Sequence, residues 1–139
     1  MAEREFHLRM SCKYQDPDNS IAALDIEVLT EEGWEVLDLN VRTAGFLLFV
    51  YTIFTCQHTY MRTNCAERGL ALDATQASID LVAGEDWIIH KLYSGFSGRL
   101  RSGHAAEADV AFIIDRMAHC PVAGNLIEIP DKRINLQFD

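Results

Sequence analysis

Basic residues are scarce in this sequence of 139 residues, which has 12 Lys and Arg against 21 Asp and Glu and a formal net charge of −9. Proteins that bind nucleic acid or an anionic membrane surface do so with clustered Lys and Arg. The composition therefore argues against both kinds of partner. Long apolar runs are also missing: the longest, GFLLFVYTIF at 45–54, is well short of the roughly 20 residues that a membrane-spanning helix needs.

Cysteine is too sparse for a secreted scaffold held together by disulfides, because the chain has only four. The first ten residues, MAEREFHLRM, contain no apolar signal core. These two features favour a cytoplasmic protein with free thiols. The chain length and a hydrophobic fraction of 49% are enough for one buried core, so we expect a single domain over residues 1–139.

Hydrophobic periodicity predicts most of the secondary structure. Alternation of apolar and polar residues predicts five strands, at 6–14, 22–28, 75–82, 87–93 and, more loosely, 126–138. Residues 34–41 slightly favour a further strand. The glycine-rich stretch SGFSGRLRSG at 94–103 indicates a loop and a strand edge, and it lacks the spacing of a phosphate-binding loop.

Two helices are predicted between these strands. The first runs from about residue 44 to 68, where Gly69 provides a C-cap, and its first half is apolar on nearly every side, as in a helix that is buried all round. The second begins at Ser102 or Gly103 and ends near His119. The order of strands, long helix, strands, helix and strand is typical of an α+β fold.

Only three prolines occur, and one of them, Pro121, directly follows a cysteine in HCPVAGNL at 119–126. The residue before a proline avoids the helical region, so the second helix should end here. Pro121 suits the first position of a new helical turn, which would place Cys120 at its N-cap. A helix N-terminus favours the thiolate, which is the reactive form of cysteine.

The other cysteines have ordinary explanations, since a free cysteine is most often a small buried hydrophobe. Cys12 lies on the apolar face of the first strand. The spacing of Cys56 and Cys65 places them on opposite faces of the first helix. We expect Cys56 to face the core and Cys65 to be a bystander among polar residues near the helix end.

A metal site is not expected. The pair Cys56 and His58 could offer soft ligands, as could His119 and Cys120. However, side chains two positions apart on a helix diverge by about 200°. His7, His90 and His104 have no spacing relation to one another, and no Gly-x-Ser-x-Gly nucleophile motif is present.

Two motifs resemble the OsmC family, the osmotically inducible and organic-hydroperoxide-resistance proteins. They are TCQHTYMRTNCAERGLALD at 55–73 and AHCPVAGNL at 118–126, and the resemblance extends over about residues 44–138. That family has one cysteine in its first core helix and a second, much later in the chain, in a CPVSxxL-like motif. The separation of Cys56 and Cys120 in this sequence agrees with the spacing of the two family cysteines.

The resemblance implies an intertwined homodimer in which antiparallel sheets wrap around two core helices, with active sites at the subunit interface. It also implies reduction of small organic hydroperoxides without a cofactor. Cys56 would attack the peroxide and become a sulfenic acid, and Cys120 would capture it as a disulfide. A cytosolic dithiol would then reduce the disulfide.

The family also supplies an arginine upstream of the first cysteine, held by a glutamate at the start of the helix. The corresponding segment here, TAGFLLFVYTIFTC at 43–56, has neither the proline nor the glutamate of that helix start. Arg42, which directly precedes this segment, is the best candidate for the arginine, and Arg9 is the second. Two alternatives stay open: an OsmC-fold protein that binds a small apolar ligand or a partner, and a structural protein with four inert cysteines.

Overall fold

A computed structural model describes residues 3–126 and 128–139. Its elements are β1 (Arg4–Gln15), β2 (Ser20–Thr30), β3 (Gly33–Val36), α1 (Gly45–Glu67), β4 (Ala71–Ala83), β5 (Ile89–Ser102), α2 (Glu107–Ala118), a 3-10 helix (Ala123–Asn125) and β6 (Asp131–Phe138). The predicted α+β class is confirmed. None of the described helices is both long and apolar enough to cross a membrane.

The six strands form one sheet in the order β3-β2-β1-β4-β5-β6. Neighbouring strands are antiparallel except β5 and β6, which are parallel with Ser94 opposite Ile134. The expectation of antiparallel sheets therefore needs a correction at this edge. The chain leaves β5, returns along α2 and enters β6 in the same direction as β5, which is the crossover that a parallel pair requires.

The glycine-rich stretch 94–103 is predicted as loop and strand edge, and the loop part is wrong, because nearly all of the stretch belongs to β5. Gly98 allows close packing, since a Cβ added there would lie 3.1 Å from the Phe138 ring on β6. The second helix begins at Glu107, later than predicted. Gly103 has a φ of +94° and so breaks the chain direction before the helix.

The end of α1 agrees with the sequence pattern. Gly69 has a φ of +73° and follows the last helical turn. The Leu70 N–H donates to the Cys65 carbonyl at 2.8 Å, and the Gly69 N–H donates to the Ala66 carbonyl at 3.0 Å. These two hydrogen bonds make a Schellman motif, which satisfies the last carbonyls of the helix.

Both helices pack on the inner face of the sheet. From α1, Phe54 and His58 contact Phe96 of β5, and from α2, Ile113 and Met117 belong to the same buried core. The helices run in opposite directions, because Arg68 just after α1 donates to Asp109 in the first turn of α2 at 2.9 Å. This arrangement places the middle of α1 beside the C-terminal end of α2.

Candidate functional site

The antiparallel helices bring Cys56 and Cys120 together. At the rise of an α-helix, Cys56 lies about 18 Å back along α1 from Arg68, and Cys120 lies about 16 Å along α2 from Asp109. The Cys56 thiol consequently lies close enough to the Cys120 sulfur to raise the pKa of Cys120. Two thiols that are far apart in the sequence are therefore direct neighbours in the fold.

The two thiols differ in exposure. Cys120 is fully buried, whereas Cys56 is half-buried. The prediction that Cys56 faces the core is thus only partly right. The face of α1 that packs inward carries Phe54, Gln57 and Met61, and Cys56 lies about 100° from Gln57 at the edge of that face. A reagent from solvent can reach Cys56 before it reaches Cys120.

The turn after Cys120 holds its sulfur in place. The Ala123 N–H donates to Cys120 Sγ at 3.2 Å, and the Gly124 N–H donates to the Cys120 carbonyl at 2.8 Å. The predicted restart after Pro121 takes the form of a turn and a 3-10 helix that begins at Ala123 and has Val122 as its N-cap residue. The prediction that Cys120 is the N-cap was therefore wrong, although its sulfur accepts a hydrogen bond from the first residue of that helix.

The pKa of the Cys120 thiol is raised above its ordinary value. The main cause is burial, which disfavours the charged thiolate, and the neighbouring Cys56 thiol adds to it. The backbone N–H groups of Ala123 and Val122 act in the opposite direction, because they favour negative charge on the sulfur. In this resting geometry Cys120 is a protonated thiol with amide donors already aimed at it.

Lys132, which the sequence patterns did not single out, holds the same turn in place. Lys132 on β6 donates to the carbonyls of Ala123 at 2.9 Å and Leu126 at 3.2 Å. Asn125 adds a bond from its side-chain amide to the Pro121 carbonyl at 2.7 Å. The alternation of β6 gave a usable signal, since Lys132 falls in the inward row with apolar side chains, where a lysine needs a partner.

The two candidate arginines lie elsewhere in the chain. Arg42 is exposed in the turn before α1, and Cys56 lies about 16 Å further along the helix axis than the first residue of α1. Arg9 pairs with Glu27 at 2.7 Å and lies 4.3 Å above the Trp34 ring, on the outer face of β1. The sheet separates Arg9 from α1, so Arg9 is not available to Cys56.

Burial makes the thiols of the two remaining cysteines, Cys12 and Cys65, unreactive. Cys65 is fully buried beside the Met61 sulfur at 3.7 Å, and burial raises its pKa to about 12. The expectation of a polar setting for Cys65 was therefore wrong, because the last turn of α1 still packs on the core. Cys12 is buried on the inner face of β1, as expected, and burial raises its pKa as well.

An apolar groove opens next to the turn that follows Cys120. Its volume is about 620 Å³, and Phe46, Phe49, Trp87, Leu126 and Ile129 are among its lining residues. Trp87 has a φ of +66°, an uncommon backbone conformation for a bulky residue, and is 46% exposed. The groove offers aromatic surface to an apolar molecule. Some of its lining residues lie close in sequence to the two thiols.

The described residues contain no group of three or more His, Cys, Asp or Glu side chains that could hold a metal ion. The pairs of Cys56 with His58 and of His119 with Cys120 do not converge. His58 instead points into the core, where its Nε2 and the Tyr14 hydroxyl form a hydrogen bond of 2.7 Å. His119 is exposed and bonded to the Asp115 carbonyl.

No protein-family model and no curated protein sequence matches this chain. Solved structures do match it. An OsmC-like protein from Mycoplasma pneumoniae aligns with a TM-score of 0.53 and 11% identity, over 93% of this chain and 94% of that chain. An OsmC-like hydroperoxide resistance protein from Jannaschia sp. CCS1 aligns with a TM-score of 0.54 and 16% identity, over 88% of this chain and 86% of that chain.

A hypothetical protein from Aquifex aeolicus VF5 aligns with a TM-score of 0.57 and 9% identity, over 94% of both chains. Identities this low carry information on the fold and none on the activity. The matched structures cover between 88% and 94% of this chain. The chain therefore has the OsmC-like fold.

Proposed function

We propose that this chain is a divergent OsmC-like hydroperoxide reductase in which Cys56 attacks and Cys120 resolves. The proximity of these two thiols carries the proposal. Their unequal exposure suits the two roles, because the first thiol must meet a peroxide and the second must meet only the first. The Jannaschia protein of the same fold is named as a hydroperoxide resistance protein, which agrees with the general role proposed here.

The reaction balances with two thiols and no cofactor. The Cys56 thiolate attacks one oxygen of the peroxide, the O–O bond breaks, and the second oxygen leaves with a proton as the alcohol. The sulfur is oxidised by two electrons to a sulfenic acid. Cys120 then attacks that sulfur and releases water, which forms the disulfide, and a cytosolic dithiol restores both thiols by exchange.

The proposal assigns Arg42 as the cation that favours the Cys56 thiolate. Within residues 3–126 and 128–139, no carboxylate lies within ion-pair distance of the Arg42 guanidinium. Its backbone N–H donates to Asn40 Oδ1, and its side chain is exposed. Because Arg42 precedes α1 and lies too far from the Cys56 of its own chain, the proposal has the guanidinium act on the Cys56 of a second copy of the chain.

A homodimer is part of the proposal. Beyond the area covered by the helices, β2 leaves Ile21 and Leu24 more than a third exposed on the inner side of the sheet. Exposed apolar side chains on the core side of a strand are typical of a surface that another subunit covers. The groove lined by Phe49 and Trp87 suits the apolar part of an organic hydroperoxide.

Stoichiometric oxidation tests the proposal. We expect one equivalent of cumene hydroperoxide to give a Cys56–Cys120 disulfide in the folded protein, as shown by peptide mass spectrometry. Cys120→Ser should stop at the Cys56 sulfenic acid, which a dimedone probe would trap, and Cys56→Ser should show neither product. Cys65→Ser is the matched control, since this buried thiol lies outside the pair. Recovery of four free thiols after treatment would contradict the proposal.

A second candidate function is binding of a small apolar ligand without chemistry. The apolar groove next to the turn favours it, as does the replacement of the family's proline and glutamate by apolar residues in 43–56. The reactivity of Cys56 distinguishes the two candidate functions. A Cys56 that resists iodoacetamide at pH 7 and reacts only after denaturation would favour the binding protein, and rapid alkylation of the folded protein would favour the reductase.

A further inference from the structure

Lys132 occupies an unusual position for a lysine. It lies opposite Leu92 in the parallel register of β5 and β6, on the inward side of β6. Lysines normally extend their ammonium group into water. Here Nζ turns to two backbone carbonyls, those of Ala123 and Leu126, and within the described ranges no carboxylate pairs with it.

Those carbonyls belong to the turn that carries the Cys120 sulfur contacts. The Ala123 carbonyl and the Gly124 N–H form one peptide unit, and that N–H donates to the Cys120 carbonyl at 2.8 Å. The preceding peptide supplies the Ala123 N–H that donates to Cys120 Sγ at 3.2 Å. A cation on the carbonyl side polarises the peptide and strengthens the bond on its N–H side.

We propose that Lys132 is a positioning residue for the resolving thiol: it anchors the 120–126 turn to β6 and so keeps the Ala123 N–H directed at the Cys120 sulfur. This inference rests on the proposed function of the thiol pair. In that reaction Cys120 must lose its proton next to the Cys56 sulfenic acid, and the amide donor stabilises the thiolate that attacks. Lys132 acts through the turn and does not touch the reacting sulfurs.

The surroundings of Cys120 isolate this effect. The titratable group that faces it from α1 is Cys56. His119 precedes it in sequence, but the His119 ring is 72% exposed and its Nδ1 is bonded to the Asp115 carbonyl at 2.7 Å. From β6, Lys132 reaches it through the Ala123 carbonyl. Burial disfavours the Cys120 thiolate, and the backbone N–H donors favour it. Lys132 keeps these donors in place.

The test uses the full chain with Cys56→Ser, so that Cys120 is observed without its partner. Lys132→Met keeps the side-chain length and removes the donor. We expect the Ala123 and Gly124 amides to exchange with deuterium about tenfold faster, since their hydrogen bonds lose the anchor. We also expect the pH–rate profile for alkylation of Cys120 by iodoacetamide to move to higher pH, because the thiolate loses its amide donor.

Two variants control this experiment. Lys132→Arg keeps a cationic donor and should restore both the slow amide exchange and the wild-type pH–rate profile. Lys91→Met removes a lysine of the adjacent strand β5 whose side chain is exposed, and it should change neither measurement. Circular dichroism and thermal melting establish that each variant is folded at the assay temperature.

Each outcome decides the inference. Faster exchange together with a displaced alkylation profile supports it. Faster exchange with an unchanged profile means that Lys132 only supports the structure, and a displaced profile with unchanged exchange means that its charge acts through space, so both overturn the inference. Neither measurement uses peroxide, so failure here is distinguishable from failure of the reductase proposal, which shows as absent disulfide in the wild-type chain.

Discussion

At the scale of single residues, the core contains a polar pair that packs against apolar side chains. The Tyr14 hydroxyl is hydrogen-bonded to His58 Nε2, both side chains are more than nine-tenths buried, and the His58 ring stacks on Phe96 with an interplanar angle of 7°. Burial lowers the pKa of His58 to about 4, so the imidazole is neutral at pH 7. The pair is satisfied only while both partners are present.

Tyr14→Phe should therefore lower the free energy of unfolding by about 1 to 2 kcal/mol, because it leaves a buried ring nitrogen without its hydrogen-bond partner. Urea denaturation followed by circular dichroism at pH 7.5 measures this. Tyr51→Phe is the matched control: within the described part of the chain the Tyr51 hydroxyl has no recorded hydrogen bond, so its loss should cost less than about 0.5 kcal/mol. Equal effects of the two substitutions would contradict the role of the pair.

At the scale of elements, the end of α1 depends on Gly69. Its φ of +73° lies in the left-handed region, and a Cβ there would meet nothing within 4 Å. Gly69→Ala should thus cost about 1 to 2 kcal/mol from backbone strain alone. Gly45→Ala, at the first residue of α1 and equally open, should be neutral or stabilising by about 0.5 kcal/mol. Thermal melting of both variants tests the difference, and matching melting temperatures would contradict it.

The secondary-structure elements show which features of the fold a sequence pattern can predict. The alternation in β1 and the glycine after α1 predicted both correctly, because each signal is local. The extent of β5 could not be predicted from its glycines, since the packing of Gly98 against Phe138 depends on β6, a distant part of the chain. The meeting of Cys56 and Cys120 was expected from a family resemblance, and neither cysteine's local pattern indicates it. For Lys132 the alternation of β6 indicates an inward position, but its partners are backbone carbonyls, which no sequence pattern identifies.

At the scale of the whole molecule, the acidic composition and the fold define different properties. The formal charge of −9 disfavours anionic partners, but it says nothing about which face of the sheet is covered. The fold places the apolar groove, the Cys120 turn and the exposed inner side of β2 on one molecule, and the sequence alone shows none of these surfaces. Only tertiary packing decides which apolar residues stay exposed.

The buried His58 links the stability of the whole molecule to pH. Its pKa falls from 6.5 to about 4 on folding, chiefly through burial and secondarily through Arg62. Above pH 6.5 neither state binds this proton, so the full stability is present. As the pH falls from 6.5 towards 4, the unfolded chain takes up a proton that the folded chain refuses. The free energy of unfolding should therefore decrease by up to about 1.4 kcal/mol per pH unit, and by about 3 kcal/mol in total.

Urea denaturation at pH 7.5, 6.0 and 5.0, at one fixed protein concentration, measures this slope. His58→Gln lowers stability at every pH by its own packing defect, but it should flatten the slope because the titrating group is gone. His90→Gln removes an exposed histidine and should keep the wild-type slope. The comparison uses differences in slope, so the carboxylates that titrate in the same range cancel. An unchanged slope in His58→Gln would mean that His58 takes up its proton over the same pH range in the folded and unfolded states, and the lowered pKa of the buried His58 would then be wrong.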